Sequence, residues 1–270
     1  MPFPLSLAIV AHNEEHNIAR CLESASDLAE EIVVIDSGST DRTPEIARSF
    51  GAKVIHQDWL GHRDQKNVAA SHCTRPWILT LDCDEFLSSK LRASIASFFN
   101  DRLSEKFDGA WCNRKTWFLD RWIAHGDWYP DRKLRLVRRE KAKWGGSSEH
   151  GKIEMHGPTT QLVGDLYHDS FPSMNRYIDK INVFSDVFLE RQNQQGARWS
   201  FLQNVMRPPW RFFRAYVLRR GFLDGFPGFW IAVATAFSTF VRYSRQYEEE
   251  ARRNNTSRDV PVPDRARRET

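Results

Sequence analysis

The sequence has no C-x-x-C pair, no apolar run long enough to cross a bilayer, and no glycine-rich phosphate loop of the Walker or dinucleotide type. Each absence removes a class of function. Four scattered cysteines (Cys21, Cys73, Cys83, Cys112) argue against a zinc site or a disulfide framework and fit a reducing cytoplasm. The longest uncharged stretch, Gly225 to Val241, falls short of the ~20 apolar residues of a spanning helix and contains Pro227 and Gly228. Met1-Pro2-Phe3-Pro4 passes directly into a strand-like run, without the basic segment and apolar stretch of an export signal, so export is not expected. Without G-x-x-x-x-G-K-[ST] or G-x-G-x-x-G, ATPase and dinucleotide readings lose their main support. The formal net charge of +4 is too small to imply a nucleic-acid partner, and none is expected.

What remains is a chain of 270 residues, rich in tryptophan with 10, long enough to bury a sizeable core. Leu5 to Ala11, Ile32 to Ile35, Lys53 to Ile55 and Trp77 to Leu81 read as strands; the β-branched second run lacks polar alternation, as a strand covered on both faces should. Between them the spacing predicts helices. Ile18, Cys21, Leu22 and Ala25 form one apolar face, Ile46, Ala47 and Phe50 a second, and a third helix runs through Gln65 to Ala70. Leu91, Ile95 and Phe98 mark another helix after the fourth strand. This alternation predicts an α/β fold with a mostly parallel central sheet built from βαβ units. Ligands of such sheets bind beyond the carboxyl ends of the strands.

Three polar clusters lie at that edge: His12-Asn13-Glu14, Asp36 to Asp41, and Asp82-Cys83-Asp84-Glu85. Two carboxylates at i and i+2 past a buried strand can approach one hard cation, and Mg2+ or Mn2+ takes such oxygen ligands together with substrate phosphates. An isolated D-x-D is more often a solvated turn, here with its acids capping a helix near Ser88; its place after a fourth strand favours the metal reading. Asp36 can accept a hydrogen bond from a nucleobase N–H, while Gly38 permits close approach. Ser39 or Thr40 with Asp41 would also serve as an ordinary helix cap.

Ala8 to Glu14, Val34 to Asp41 and Leu81 to Glu85 together resemble the successive signatures of glycosyltransferase family 2, whose fold is GT-A. Gly61 to Asn67 is similar to the G-x-x-x-Q-K-N segment of lipopolysaccharide core β-glucosyltransferases, as are Trp128 to Arg132 with Leu134-Arg135-Leu136, and Gly221 to Gly225 with Gly228-Phe229. The resemblance covers about residues 5 to 245. It implies an inverting, metal-dependent hexosyltransferase that moves a sugar, glucose among the candidates, from a UDP-sugar to a saccharide or lipid-linked glycan acceptor such as a lipopolysaccharide core. It implies that Ala11, Asn13, Glu14 and Asp36 hold the nucleotide, with Arg63 and Lys66 near phosphate. Asp84 would be the principal metal ligand and Asp82 would bind ribose, or metal indirectly. His168 is a candidate third ligand, since imidazole completes some carboxylate sites.

Inversion needs a carboxylate to take the acceptor proton. Family members often carry an acid directly after a loop histidine, but here Gly151 follows His150 and the acid, Glu149, precedes it. Glu149 is the first candidate for the base and Asp131 the fallback. Two alternatives stay open: a family 2 transferase with another donor or a polyprenyl-phosphate acceptor, and a non-catalytic sugar-nucleotide or membrane-binding protein.

Beyond about Arg102 the regular alternation ends. Trp111 to Phe118 and Leu134 to Arg138 read as strands, Trp122 to Arg132 as an aromatic loop, Trp144 to Thr160 as active-site loop, and Asn175 to Arg191 as a helix facing inward through Ile178, Ile181, Phe184 or Ser185, and Phe188. From Arg207 to Arg220 there are five arginines and no acid, with Phe212, Phe213, Tyr216 and Val217 on one helical arc. That layout is expected of an interfacial helix whose Arg211, Arg214, Arg219 and Arg220 meet an anionic membrane surface, placing the protein peripherally on the inner face of the cytoplasmic membrane. The expected organisation is a nucleotide-sugar half over residues 1–105, an acceptor half over 106–200, a basic helical appendage over 201–250 and a disordered tail over 251–270.

Overall fold

The runs without polar alternation become the centre of a sheet. In the computed structural model, which describes residues 1–146, 151–171 and 173–254, β1 (Phe3–Ala11), β2 (Ala29–Asp36), β3 (Lys53–His56) and β4 (Trp77–Asp82) lie in the order β3-β2-β1-β4, all parallel. The helices between them are α1 (Ile18–Ala25), α2 (Thr43–Ser49) and α3 (His62–His72). Register makes three strand ends level, because Ala11 pairs with Asp36 and Val10 with Asp82. β2 and β4 flank β1 on opposite sides, so the crevice of an α/β sheet opens beside β1.

Past β4 come β5 (Glu85–Leu87), α4 (Ser89–Asn100) and the short α5 (Leu103–Lys106). The sheet then turns mixed. β6 (Gly109–Phe118), β7 (Arg121–Trp122), β8 (Asp131–Arg138) and β11 (Thr159–Phe171) extend it as β4-β8-β6-β11-β5, with β7 on β6. β8 is antiparallel to both β4 and β6. This is the α/β, GT-A type architecture expected.

Leu5, Leu7 and Ile9 pack with Ile18, Cys21 and Leu22 of α1 and with Leu91, Ile95 and Phe98 of α4. Ala8, Val33, Ile35 and Ile78 pack on the other face with Ala69 of α3. Each fully buried Leu, Ile or Phe contributes about 1.5–3 kcal/mol. α4 is capped by Ser88, whose hydroxyl accepts from the Leu91 N–H at 3.1 Å, so the acids at 82 and 84 are not its cap.

Two expectations are corrected. The segment read as loop from Trp144 contains a hairpin, β9 (Ala142–Gly146) with β10 (Gly151–Met155), paired from Ala142–Met155 to Gly146–Gly151. Its glycines hid an alternating pattern. The helix read over 175–191 is α6 (Met174–Gln194), but its inward residues are Tyr177, Ile181 and Ser185, while Ile178 is 51% exposed.

Contacts divide the chain into Met1–Pro172 and Ser173–Thr270. The second unit holds α6, α7 (Phe201–Phe213), a π-helical turn over Arg214–Leu218, a 3-10 turn over Gly221–Asp224, and α8 (Gly225–Asn254). Gly228 has no room for a side chain: a Cβ there would lie 1.9 Å from the Gly221 carbonyl oxygen. Of the tail expected to be disordered, residues 251–254 instead continue α8, and the rest, from residue 255, lies outside the described residues. No helix among the described residues is long and apolar enough to cross a membrane.

Candidate active site

The first two polar clusters are stitched together by hydrogen bonds. Asn13 takes a left-handed conformation, φ 54°, which Asn tolerates better than most residues. Its N–H then donates to Ser39 Oγ at 2.9 Å, and its Oδ1 accepts from the Thr40 N–H at 2.8 Å. The Glu14 N–H donates to Thr43 Oγ1 at 2.7 Å, and the Glu14 carboxylate accepts from Asn17 Nδ2 at 2.8 Å. Ser39 and Thr40 thus hold Asn13 instead of capping α2. The turn into α2 is made by Asp41, whose Oδ1 accepts from the Thr43 N–H at 2.9 Å.

Asp36 is buried at the end of β2, beside Ala11. Its Oδ2 accepts from the N–H groups of Gly38 and Ser39 at 3.2 and 3.1 Å. Gly38 sits at φ +83°, where a side chain would be strained. The other oxygen, Oδ1, is buried without a hydrogen-bond partner. A buried carboxylate oxygen left unpaired costs about 1–3 kcal/mol or more, so this atom is set to receive a donor.

In Asp82-Cys83-Asp84 the middle residue points inward. Cys83 is 5% exposed and its thiol donates to the Val10 carbonyl at 3.3 Å, while Cys21 donates to the Asp82 carbonyl at 3.5 Å. Burial, reinforced by nearby acids, pushes both thiols well above their ordinary range, so they remain neutral anchors. The inward thiol leaves its two neighbours facing the crevice, where their surroundings differ.

Asp82 is gripped by cations. Lys66 Nζ donates to its Oδ1, and Arg135 Nη2 to its Oδ2 at 2.9 Å. Burial works to raise this carboxyl, but the Lys66 and Arg135 charges outweigh it and hold it well below the usual range. The same Arg135 nitrogen donates to Glu85 Oε1 at 2.5 Å, and Glu85 Oε2 accepts from the Asp82 N–H at 3.1 Å. Arg135 is itself buried; that opposes its charge, but Glu85 and Asp82 more than offset the penalty and keep it protonated. Arg114 continues the network, 3.5 Å from Glu85 and 2.8 Å from Asp131, and Lys133 lies 3.1 Å from the second Asp131 oxygen.

Asp84 stands apart from that network, with its Oδ2 3.4 Å from His168 Nε2. The far ring nitrogen, Nδ1, is 3.4 Å from Thr116 Oγ1. Among the described residues no three His, Cys, Asp or Glu side chains converge on one point. The structure therefore brings Asp84 and His168 together and directs Asp82 elsewhere. The Asp84 carboxylate suits a hard divalent ion that takes its other ligands from water and phosphate, which is the habit of Mg2+ and Mn2+, while the imidazole of His168 is the less usual donor for such ions.

Three consecutive residues of α3 reach three different parts of this edge. Gln65, fully buried, donates to Ser37 Oγ and to the Gln57 carbonyl, both at 2.9 Å. Lys66 takes Asp82 and lies 4.5 Å over the Trp144 ring. Asn67 holds the Trp144 backbone on the hairpin. Arg63 pairs with Asp64 at 2.7 Å and donates to the Gly146 carbonyl at 3.1 Å. Gly151 packs beneath: a Cβ there would meet Arg63 Cα and Trp144 Cε3 at 3.3 Å. The crowding gives a reason for glycine at this position. Glu149 and His150 lie outside the described residues.

Sequence reasoning gave no role to Glu85, Arg114, Arg135, Gln65 or Asn67. All but Arg114 lay in a cluster or motif already singled out, and Arg135 stood as a charge between two leucines of a strand, which required a buried partner. In the second unit Arg219 and Arg220 are exposed, and Arg211 and Arg214 half-buried. Phe213 and Val217 are exposed, but Phe212 and Tyr216 stack at 5.4 Å and both contact Phe229. The single aromatic arc expected there is thus divided.

The family model described as glycosyl transferase family 2 matches residues 6–153. An uncharacterized glycosyltransferase of Rickettsia felis is 30% identical over 267 residues, covering 93% of this chain and 92% of the relative. The lipopolysaccharide core biosynthesis glycosyltransferase LpsC of Rhizobium meliloti is 29% identical over 255 residues, covering 92% and 93%. Among solved structures, S. aureus TarS 1-349 in complex with UDP-GlcNAc aligns over 94% of this chain and 92% of its own, at 15% identity and a TM-score of 0.47. That is too distant to carry a residue's role from one chain to the other.

Proposed function

The chain belongs to glycosyltransferase family 2, and from that premise we propose that it is an inverting hexosyltransferase using a UDP-sugar, glucose foremost, and a lipid-linked saccharide acceptor of the lipopolysaccharide-core type. The acceptor class draws on the lipopolysaccharide-core role in the name of the Rhizobium relative. The observation that carries the reading is the unpaired, buried Oδ1 of Asp36 at the level of the Asp82–Asp84 turn. A uracil ring offers an N–H to such an oxygen, while Asn13 and Glu14 shape the adjoining wall beside Ala11.

Asp84 and His168 would hold Mg2+ or Mn2+, with Asp82 oriented toward ribose by Lys66 and Arg135. Bound there, the ion would offset the charge gathering on the departing diphosphate. Lys66 and Arg63 are assigned to the phosphate side, each beside an acid, Asp82 and Asp64 respectively. Glu149 is assigned the acceptor proton. Asp131, the fallback, already accepts from Arg114 on one oxygen and Lys133 on the other, which favours a positioning role. The division into a donor half (1–105), an acceptor half (106–200) and a basic helical segment (201–250) is retained as a proposal, as is action at the inner, anionic surface of the cytoplasmic membrane.

The test is a screen of nucleotide sugars against a lipopolysaccharide-core acceptor, read as released UDP. UDP-glucose should be turned over, EDTA should abolish the signal, and Mg2+ or Mn2+ should restore it. Donor binding with neither transfer nor donor hydrolysis would reject the enzymatic reading.

A further inference from the structure

From Phe201 to Tyr247 the chain carries seven arginines, no lysine and a single acid, Asp224, which is 5% exposed. Most of the large apolar side chains left exposed among the described residues fall in the same stretch. On α7 and the π-helical turn after it, Leu202, Met206, Trp210, Phe213 and Val217 recur at steps of three or four. On α8, Phe226, Phe229, Val233, Phe237 and Phe240 do likewise. An apolar groove of about 400 Å³ runs between these helices, with Val205, Pro208 and Pro209 on one wall and Val233, Phe237 and Phe240 on the other. Val233, Phe237 and Phe240 belong to both the α8 stripe and the groove, and across it Val205 and Pro209 neighbour Leu202, Met206 and Phe213 of the α7 stripe at helical spacings of three and four, so the apolar area continues from one helix to the other. The opposite side of α8 is spoken for: Ile231, Ala234, Ser238 and Tyr243 are buried.

Soluble surfaces rarely keep a contiguous apolar area of this kind open. We propose that the α7–α8 face is a monotopic insertion surface, its stripes entering the acyl region of an anionic bilayer with one lipid chain seated in the groove. The charge pattern selects this occupant. A second copy of the chain would bring one set of arginines against another, whereas anionic headgroups supply the opposite sign at the depth where arginines flank an inserted apolar face. The proposal rests on the membrane reading above and deepens it, from headgroup attraction to insertion.

The experiment is co-sedimentation of the full chain with vesicles of phosphatidylcholine and phosphatidylglycerol, in low salt and in about 1 M salt, where the Debye length is about 3 Å. The native protein should bind in low salt and retain part of that binding in high salt. The double substitution Val233→Ser/Phe237→Ser should lower the salt-resistant part by about tenfold or more, with helicity and UDP affinity unchanged. Arg219→Gln/Arg220→Gln should weaken low-salt binding by about fivefold per charge and spare the salt-resistant part. Native protein fully released by salt, or a groove variant that binds in high salt as native does, would overturn insertion and leave headgroup attraction standing. No binding at any salt would overturn both membrane statements but not the catalytic one. A native dimer that Phe237→Ser dissociates would show the face to be a self-association surface, and would also overturn the proposal.

Discussion

Asn67 and Trp144, 77 residues apart, are joined by a reciprocal pair of hydrogen bonds: Asn67 Nδ2 donates to the Trp144 carbonyl at 3.0 Å, and the Trp144 N–H donates to Asn67 Oδ1 at 2.9 Å. One side-chain amide thereby satisfies both backbone groups of a residue on the β9–β10 hairpin. Asn67→Ala removes both partners and should lower the unfolding free energy by about 1–3 kcal/mol, read by urea denaturation. Asn67→Asp keeps only the accepting half and should fall between the two. A variant as stable as native would show that the hairpin is held by something else.

Asp36 needs two accepting oxygens if the nucleotide assignment holds, one for the loop N–H groups of Gly38 and Ser39 and one for the base. Asparagine offers one. Asp36→Asn should therefore weaken UDP binding by about tenfold or more, in line with ~1.5–3 kcal/mol for a hydrogen bond to a charged group, with the fold intact by circular dichroism. Calorimetric titration decides it, and unchanged affinity would reject Asp36 as the base reader.

The cations around Asp82 make a pH prediction. A carboxyl held below its ordinary value in the folded chain binds fewer protons folded than unfolded, so its stabilisation is full above the unfolded pKa of about 3.9 and fades as pH falls below it. Asp82→Asn should melt lower than native at neutral pH. The gap should narrow as pH is lowered through 4, in a series of thermal melts. A gap independent of pH would mean that the ion pairs contribute nothing to stability.

For the proton transfer, Glu149→Gln should reduce kcat by about 10²–10⁴-fold while UDP affinity is kept. Asp131→Asn should cost less in kcat. The reverse order would exchange the two assignments.

Much of this site was legible because the chemistry at strand ends is local. Asp36, Asp82 and Asp84 each follow a run of buried aliphatic residues, so strand length alone puts them at one edge, and register levels them. What stayed hidden was pairing at long range. Nothing near Glu85 announces Arg135, 50 residues later, and Lys66 reads as a solvated helix lysine until Asp82 is found beside it. The hairpin was hidden differently: Gly145, Gly146 and Gly151 look like loop punctuation, yet all three pair within it, and Gly151 sits against the Arg63 backbone and the Trp144 ring, which leave little space for a Cβ. Ile178 was misread because a helical period fixes the spacing of an apolar face but not its phase, and Tyr177 is the residue that turns inward.

Gln65, Lys66 and Asn67 occupy a single helical turn yet hold a loop, a carboxylate and a hairpin. Attempts to retune the proposed donor site at any of these three parts will therefore meet a shared mechanical origin. Substitutions made to the 36–41 loop, to Asp82 and to the hairpin should combine non-additively, by about 0.5–3 kcal/mol per interacting pair, because each shifts the helix against which the others are set. A library that varies the three parts together, with α3 left intact, samples pockets that serial single changes would miss.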